Sequence, residues 1–447
     1  MTPLPRLPVL DILQPLKAAL RDAGRAVLAA PPGSGKTTVL PLALLDEPWL
    51  AGRKILILEP RRLAARAAAA RMAQLLGEEV GERVGYQIRF ERRSAPATRI
   101  EVITEGLLTR RLQSDPELPG VGLVIFDEFH ERSLDVDLAL ALTLDARANL
   151  NPALRLLVMS ATLDTQAIAR LLDGAPVLQS AGQLHPVDIR YRAPKPGEPL
   201  EAAVAQGVQT ALAETAGDIL AFLPGGREIR GAQRRLAGRI AANIDLLPLY
   251  GDMDSAAQDA VLRPVPAGRR KIILATNIAQ TSLTIEGITT VVDGGYARVA
   301  RFDRASGANR LETERISRAS ADQRAGRAGR LGPGVAYRLW SREQQDRLPA
   351  QDTPEILVAD LARLALELAV WGVTDPATLA WLDPPPAAAW AAARELLRAL
   401  DALDDAGRLT AHGRELARLP AAPRRGHLLL TAQRQGLGAQ AAWIAAL

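Results

Sequence analysis

The chain has 447 residues, of which 48% are hydrophobic, and it contains no cysteine and only 4 histidines. These counts exclude a disulfide framework and a thiolate metal site, and they argue against a histidine metal centre. The formal net charge of +5 favours a polyanionic partner only mildly.

The first residues, MTPLPRLPVL, do not have the pattern of a signal peptide, and no stretch approaches the roughly 20 apolar residues of a membrane span, so we expect a cytoplasmic protein. Five short apolar runs then alternate with helical patterns such as 62–76 and 134–148. The runs cover 25–30, 54–60, 99–105, 123–128 and 154–162. Because their polarity does not alternate, we expect strands of a parallel sheet that is covered on both faces. This pattern predicts a first α/β domain over residues 1–190.

A polar, proline-rich stretch at 191–201 is interpreted as a linker, after which the same rhythm restarts. Apolar runs at 218–225, 243–251, 271–277, 289–295 and 334–340 predict a second α/β domain over 191–350. Residues 351–420 have the pattern of a small helical, winged-helix-like domain, and 421–447 of the start of a further helical domain. The sequence ends inside an apolar helical pattern, from which we expect a truncated chain.

A glycine-rich loop follows the first predicted strand in AAPPGSGKTT (29–38). We expect its backbone N–H groups to form a cradle for phosphates. We also expect Lys36 to reach the β- and γ-phosphates and Thr37 to bind Mg²⁺. The nucleotide-binding residues of this loop are Pro32, Gly33, Ser34, Gly35, Lys36, Thr37 and Thr38. Ala30 stands where the usual spacing has glycine, and the alternative interpretation is an ordinary glycine-rich turn.

Two adjacent carboxylates end a buried strand in LVIFDEFHERS (123–133). Asp127 is placed to hold Mg²⁺ through its water shell, and Glu128 to face the water that attacks a γ-phosphate. His130 is placed to relay contacts to the second domain. Taken alone the pair also fits a solvated turn, but together with the phosphate loop it predicts a nucleotide site.

Three arginines recur at three-residue spacing in QRAGRAGR (323–330). Residues three apart share a helix face, and a guanidinium binds phosphate oxygens in a bidentate manner. The segment therefore predicts arginine fingers that reach from the second domain to a nucleotide held by the first, with Gln323 orienting water. A solvated basic helix is the alternative.

These three motifs, in this order on two tandem domains, resemble superfamily 2 helicases of the DEAH/RHA type, and the nearest subgroup is the bacterial HrpB type. Further matches are EPRRLAA (59–65), TEGLLTRRL (104–112), SAT (160–162), AFLPGGREI (221–229) and ATNIAQTSLTIEGI (275–288). HERS (130–133) is a DEAH-type trait. The resemblance covers about residues 20–345. It implies two tandem RecA-like parallel-sheet domains, an α/β fold, followed by a small winged-helix-like domain.

The resemblance also implies roles for individual residues. The residues implied to act in catalysis are Lys36, Glu128, Gln323, Arg327 and Arg330. Those implied to bind the metal are Thr37, Asp127 and Glu128. Besides the loop, the residues implied to bind the nucleotide are Arg71, Leu262 and Glu286. The residues of the first domain implied to bind the sugar-phosphate backbone are Arg61, Arg62 and Thr104. Those of the second domain implied to bind it, or to line the interdomain cleft, are Thr276, Asn277 and Thr281. Ser160 and Thr162 are implied to link the state of the bound nucleotide to the binding of the nucleic-acid strand. Residues 293–317 are implied to form a hairpin that helps to separate paired strands.

The function implied is a monomeric ATP- and Mg²⁺-dependent helicase or translocase on single-stranded RNA or DNA, with 3′-to-5′ movement. Phe129 and Gln280 replace the alanine and glutamate that are usual in the family, and Phe129 is expected to pack. Three alternatives stay open: an NTPase that remodels RNA–protein complexes, a non-motor P-loop enzyme, and an inactive scaffold. A non-motor enzyme gives no reason for QRAGRAGR, and the intact Lys36, Asp127, Glu128 and Arg330 argue against a scaffold.

Overall fold

The computed structural model of the protein describes residues 4–161, 164–180, 182, 185–281, 285–303 and 308–446. Thr162 and the residues between the two strands of the predicted hairpin, 304–307, lie outside the described residues, as do 282–284 of the 275–288 segment.

The first domain is an eight-stranded sheet in the order β4-β3-β5-β2-β6-β7-β1-β8, in which every pair is parallel except β3–β4. Its strands are β1 Arg25–Ala29, β2 Lys54–Glu59, β3 Val84–Ile88, β4 Glu91–Arg93, β5 Ile100–Thr104, β6 Val121–Phe126, β7 Arg155–Ser160 and β8 Val177–Gln179. Its α-helices are α1 Leu13–Asp22, α2 Val39–Leu44, α3 Arg62–Leu76, α4 Glu105–Ser114, α5 Leu134–Asn149 and α6 Thr165–Leu171. Short 3-10 helices are Pro8–Ile12, Pro48–Leu50 and Phe129–Glu131.

The continuous apolar strands follow from burial on both faces of this sheet. Along β2, Ile55 and Ile57 pack into the apolar cluster on one face, whereas Leu56 and Leu58 pack into the cluster on the other. Because parallel strands end at the same edge, the phosphate loop after β1 and Asp127 after β6 lie at one edge of the sheet.

The second domain is a six-stranded parallel sheet in the order β11-β12-β10-β13-β16-β9. Its strands are β9 Val187–Tyr191, β10 Asp218–Phe222, β11 Ile244–Leu249, β12 Arg270–Ala275, β13 Ile288–Asp293 and β16 Gly334–Arg338, and an antiparallel pair is formed by β14 Tyr296–Asp303 and β15 Ala308–Arg315. Its α-helices are α7 Leu200–Glu214, α8 Gly226–Leu236, α9 Ser255–Leu262, α10 Arg318–Gly326 and α11 Arg342–Asp346, with 3-10 helices Asn277–Ala279 and Arg327–Gly329.

The sequence boundary at residue 190 needs correction. Val187–Tyr191 pairs in parallel with β16, so residues 187–190 belong to the second sheet and not to the first domain. The polar stretch 191–201, interpreted as an interdomain linker, instead connects β9 to α7 within the second domain.

A helical region follows. Its α-helices are α12 Ala362–Trp371, α13 Ala387–Ala399, α14 Ala411–Arg418, α15 Pro423–Arg434 and α16 Gly438–Ala446, with 3-10 helices Glu355–Leu357 and Pro376–Thr378. An antiparallel bridge between Leu403 and Leu409 closes a small wing before α14. Leu364 and Leu366 share one apolar cluster with the first domain, and Trp371 Nε1 donates to Asp145 Oδ2 at 2.8 Å. The predicted class, two parallel-sheet α/β domains followed by a helical winged-helix region, is confirmed. Of the helices in the described ranges, none is both long enough and apolar enough to cross a bilayer.

Candidate active site between the two sheets

The phosphate loop owes its shape to two glycines. Gly33 has φ 83° and Gly35 has φ 90°, values in the left-handed region that side chains disfavour. Ala30 is not among the described residues with positive φ, and its N–H donates to Ser160 O at 3.2 Å, so alanine fits there without strain. The helix after the loop begins only at Val39, so the phosphate cradle stays a prediction for the N–H groups of the loop itself.

Lys36 lies at the floor of this loop and is buried. Its Nζ lies 3.3 Å from Glu128 Oε1 and 3.8 Å from Asp127 Oδ1. Burial opposes the charge, but the carboxylates of Glu128 and Asp127 outweigh it and raise the pKa of Lys36. The ammonium is therefore held charged at the edge where the phosphate loop and β6 meet.

The metal set predicted from sequence is brought together. The Thr37 hydroxyl donates to the carboxylate of Asp127, whose other oxygen accepts the Glu128 N–H at 2.8 Å. Burial raises the pKa of Asp127 to about 6, against the opposing charge of Lys36. One hydroxyl and one carboxylate are oxygen ligands that suit Mg²⁺, which keeps most of its water. Within the described ranges, no group of three or more His, Cys, Asp or Glu side chains could bind a metal by itself.

An orphaned polar atom supports the fit of a phosphate group. The Ser34 Oγ is buried and has no hydrogen-bond partner among the described residues. A buried hydroxyl without a partner is costly. A phosphate oxygen in the loop would satisfy Ser34 and meet the Lys36 ammonium.

The segment after Asp127 makes a tight turn. Glu128 and Arg132 both have left-handed backbone, φ 49° and φ 48°, on either side of the 3-10 helix Phe129–Glu131. Non-glycine residues in this region carry strain that is typical of functional sites. Phe129 is buried and meets Phe126 edge to face at 6.5 Å between ring centroids, so it packs as expected.

Glu128 is held ionised in this turn. Burial opposes its charge, but Lys36 and then His130 lower the pKa of Glu128 to about 2. Glu128 Oε2 lies 3.4 Å from His130 Nδ1, and burial lowers the pKa of His130. An ionised carboxylate at this position can accept a proton from an attacking water.

The arginine segment changes helix type, and this separates its three arginines. The α-helix ends at Gly326 and the chain continues as a 3-10 turn. Arg324 turns into its own domain, where its Nη1 lies 2.9 Å from Asp293 Oδ1 and its guanidinium lies 4.8 Å from the Phe222 ring centroid. The prediction that all three arginines share a face is therefore wrong for Arg324.

Arg327 and Arg330 face the first domain. The charge of Glu128 acts on both guanidiniums. Burial nevertheless lowers the pKa of Arg330 to about 10 and holds the pKa of Arg327 well below its usual value. Two cations of the second domain thus lie within electrostatic range of the Glu128 carboxylate of the first, and their contact with a nucleotide stays a prediction.

Gln280, noted from sequence only as a departure from glutamate, organises this segment. Its Nε2 donates to Ser320 Oγ at 2.8 Å and to Gln323 Oε1 at 3.1 Å. Its Oε1 accepts from Arg324 Nε at 3.0 Å, and its backbone carbonyl accepts from Arg327 Nε at 2.9 Å. A side-chain amide donates and accepts at once, whereas an ionised glutamate only accepts and could not donate to Gln323.

The predicted strand contacts meet at a second place on the cleft. Arg61 donates to the backbone carbonyl of Asn277 and lies 3.1 Å from Glu131 Oε2. The hydroxyl of Thr281 donates to the other oxygen of Glu131. Thr104 ends β5 in register with Glu59 of β2, at the same sheet edge. Sequence reasoning assigned no role to Glu131, although it is the second residue of HERS.

A cavity of about 700 Å³ lies beside these contacts and is lined by both domains. Arg62, Thr276 and Asn277 line it, and so does Phe90, which is 88% exposed. The Arg89 guanidinium lies 4.7 Å from the centroid of the Phe90 ring. The sequence signal for this feature is the aromatic residue between arginines in QIRFER (87–92), which the sequence analysis passed over.

Two of the three residues expected at the nucleotide base, Arg71 and Glu286, are exposed. Arg71 is exposed and donates to Gln74 Oε1 at 2.8 Å. Leu262 packs against the apolar cluster that contains Leu63 and Ala64 of α3. Glu286 is exposed in the turn before β13. Their nucleotide contacts stay predictions.

Comparison with known proteins identifies the same units. The DEAD/DEAH box helicase profile matches residues 14–171, the helicase conserved C-terminal domain 203–332, and the winged-helix helicase associated domain (HA2) 393–421. The ATP-dependent RNA helicase HrpB of Escherichia coli is 50% identical over 99% of this chain and 54% of its own length. The pre-mRNA-splicing factor ATP-dependent RNA helicase prp22 of Schizosaccharomyces pombe is 37% identical over 96% of this chain and 37% of its own.

Solved structures agree. A crystal structure of the Escherichia coli DEAH/RHA helicase HrpB superposes with a TM-score of 0.92 at 50% identity, covering 99% of this chain and 56% of that one. A second, of the E. coli DExH-box NTPase HrpB, gives 0.86 at 49% identity, covering 100% of this chain and 55% of that one. The chain therefore spans about half the length of its HrpB relatives, and it belongs to the DEAD/DEAH box helicases, in their DEAH/RHA group.

Proposed function

We propose that this protein hydrolyses ATP to move along or unwind nucleic acid, and that the nucleic acid is RNA. One observation carries the proposal: the charge of Glu128, which pairs with Lys36 in the first domain, acts on the guanidiniums of Arg327 and Arg330 in the second. A nucleotide bound there touches both domains, so its hydrolysis state sets how firmly they close. The names of the two relatives, both ATP-dependent RNA helicases, support RNA over DNA.

The loop Pro32–Thr38 and the ammonium of Lys36 bind the phosphates of ATP. Thr37 and Asp127 would hold Mg²⁺, with Glu128 reaching it through water, and the ion when bound neutralises phosphate charge. Glu128 orients the attacking water and accepts its proton, since its carboxylate is ionised. Gln323 orients the same water or the γ-phosphate, and Gln280 fixes the side chain of Gln323.

Arg327 and Arg330 complete the site. Fixed cations aimed at a phosphoryl group stabilise the charge that it spreads over its oxygens in the transition state. Because they belong to the other domain, this stabilisation is present only when the cleft is closed. That dependence couples chemistry to domain motion.

The strand is held through its backbone. Arg61, Arg62 and Thr104 contact phosphates from the first domain, and Thr276, Asn277 and Thr281 from the second. Such contacts position a strand without reading its sequence. Phe90 offers a stacking surface for one base. The β14–β15 hairpin separates paired strands.

The base of the nucleotide is held weakly in this proposal. Arg71 stacks on one side, Leu262 takes the place of an aromatic partner, and Glu286 reaches the sugar. One-sided stacking predicts low selectivity among ATP, GTP, CTP and UTP. Movement is 3′ to 5′, and the working form is a cytoplasmic monomer.

The second candidate is an NTPase that remodels RNA–protein complexes without processive unwinding. The same ATP site and strand contacts serve both functions, and HrpB is described in one structure as a DExH-box NTPase. The two differ in whether a paired substrate is separated over its length.

The test is ATP turnover of the purified chain with single-stranded RNA and single-stranded DNA compared at matched concentrations. We expect turnover to rise with both and to saturate at lower concentration with RNA. A displacement assay on duplexes of increasing length then separates unwinding from remodelling. ATP turnover that does not respond to either nucleic acid contradicts the proposal.

A further inference from the structure

Glu131 joins three segments that lie far apart in sequence. One of its carboxylate oxygens lies 3.1 Å from Nη2 of Arg61, and the other accepts a hydrogen bond from the hydroxyl of Thr281. Arg61 at the same time donates to the carbonyl of Asn277. Glu131 and Arg61 each keep only 18% of their side-chain surface exposed. The contact therefore closes the cleft from the first domain to the second.

The donors that hold Glu131 are those assigned to the strand. A guanidinium and a hydroxyl bind a phosphate oxygen by the same geometry as they bind a carboxylate oxygen. Two anions cannot share these donors without repulsion in a partly desolvated cleft. A strand phosphate at Arg61 and Thr281 therefore displaces the Glu131 carboxylate.

Glu131 is also bound rigidly to the hydrolytic residue. Its N–H donates to Glu128 O at 2.9 Å, closing the 3-10 turn Phe129–Glu131. Left-handed residues flank this turn, Glu128 on one side and Arg132 on the other. Because this turn is fixed at both ends, a displacement of Glu131 that moves its backbone also shifts Glu128.

We infer that Glu131 is a positioning residue that responds to binding of the strand. Its carboxylate occupies the phosphate-binding site formed by Arg61 and Thr281. A strand phosphate that binds there displaces the carboxylate and moves the turn that carries Glu128. The inference deepens the proposed function and rests on it. It explains how occupancy of the strand site alters hydrolysis at a carboxylate three residues away.

The first test measures strand binding without nucleotide, by anisotropy of a fluorescein-labelled single-stranded oligouridylate. Glu131→Gln removes the competing charge, so we expect the dissociation constant to fall roughly five-fold. The matched control is Glu117→Gln, which removes the same charge from an exposed position of the first domain and leaves the dissociation constant unchanged. Glu131→Asp keeps the charge on a shorter side chain and gives a smaller fall, which provides a second variant.

The second test measures ATP turnover with and without saturating strand. We expect Glu131→Gln to lower the ratio of stimulated to basal turnover roughly five-fold or more while it binds the strand more tightly. A purely structural role would lower thermal stability and weaken binding instead. An unchanged or weaker affinity in a variant that melts like the wild type overturns the inference. If ATP turnover of the wild type does not change with RNA, the proposed function is overturned. The binding test then still shows whether Glu131 competes with the strand for Arg61 and Thr281.

Discussion

The backbone carbonyl of Gln280 accepts a hydrogen bond from Nε of Arg327 at 2.9 Å. The next residue, Thr281, donates to Glu131 across the cleft. Two consecutive residues thus connect the proposed arginine finger Arg327 with the proposed strand contact at Thr281. A shift in this segment would move both sites together, as the proposed motor requires.

Glu128→Gln should bind ATP and hydrolyse it very slowly. The amide cannot accept the proton of the attacking water, so turnover falls by about 100-fold or more. Nucleotide affinity stays within a few-fold, because the loop and Lys36 are intact. Equilibrium binding of a fluorescent ATP analogue and steady-state turnover on the same preparation check this. Turnover near the wild-type rate would remove Glu128 from its assigned role.

The substitutions Arg330→Ala and Arg324→Ala should have different effects: the first should lower ATP turnover, and the second should lower stability. Arg330 faces Glu128, so its loss lowers turnover by roughly 10³-fold with little change in melting temperature. Arg324 pairs with Asp293 inside the second domain, so its loss leaves a buried carboxylate without its cation and lowers the melting temperature. Turnover and thermal denaturation of both variants separate the two roles. Equal losses of turnover at equal stability would contradict the assignment.

Removal of divalent metal should abolish turnover. Thr37 and Asp127 supply oxygen ligands suited to Mg²⁺, and we expect a chelator to stop hydrolysis and added Mg²⁺ to restore it. Asp127→Asn should raise the Mg²⁺ concentration for half-maximal turnover by about ten-fold or more. Asp115→Asn, at an exposed position, provides the control. An unchanged Mg²⁺ requirement in Asp127→Asn would place the metal elsewhere.

Stability should fall with rising pH because of Glu105. Burial, reinforced by the charge of Asp135, raises the pKa of Glu105 from 4.5 to about 8 although Ser133 donates to it. An acid whose pKa is raised in the folded state stabilises it fully below pH 4.5 and loses that contribution as the pH rises through about 8.

Glu105→Gln removes this loss. Relative to the wild type, its unfolding free energy should gain on the order of 4 kcal/mol between pH 5 and pH 9. Denaturant titrations at pH 5, 7 and 9 measure the difference. A difference that does not change with pH would show that Glu105 ionises normally.

Charge and stacking contacts to the strand should respond differently to salt. Arg62→Ala removes a phosphate contact, so the slope of log affinity against log salt concentration falls by about 1. Phe90→Ala removes a stacking surface and weakens binding by roughly 1–3 kcal/mol at every salt concentration. Titrations at four salt concentrations distinguish the two. A salt-dependent loss in Phe90→Ala would contradict a stacking role.

Most strands could be predicted because a strand buried on both faces leaves a continuous apolar run, as at Val121–Phe126. The edge strand Val187–Tyr191 could not, since it alternates in polarity and its partner lies about 150 residues later. The phosphate loop and the carboxylates that follow β6 could be predicted because each lies in one short segment of the sequence.

The inner orientation of Arg324 was not readable, because it depends on where an α-helix gives way to a 3-10 turn. Nor was the role of Glu131, whose partners Arg61 and Thr281 are distant in sequence. Gln280 shows the same limit: as a substitution it suggested a lost charge, whereas its neighbours make it a polar link.

The central claim is that one triphosphate is held by both domains. A crystal structure with a non-hydrolysable ATP analogue, Mg²⁺ and a single-stranded RNA tests it most directly. We predict γ-phosphate oxygens within about 3 Å of Lys36 Nζ on one side and of an Arg327 or Arg330 guanidinium on the other. A γ-phosphate held by Lys36 while both guanidiniums contact only their own domain would contradict the claim.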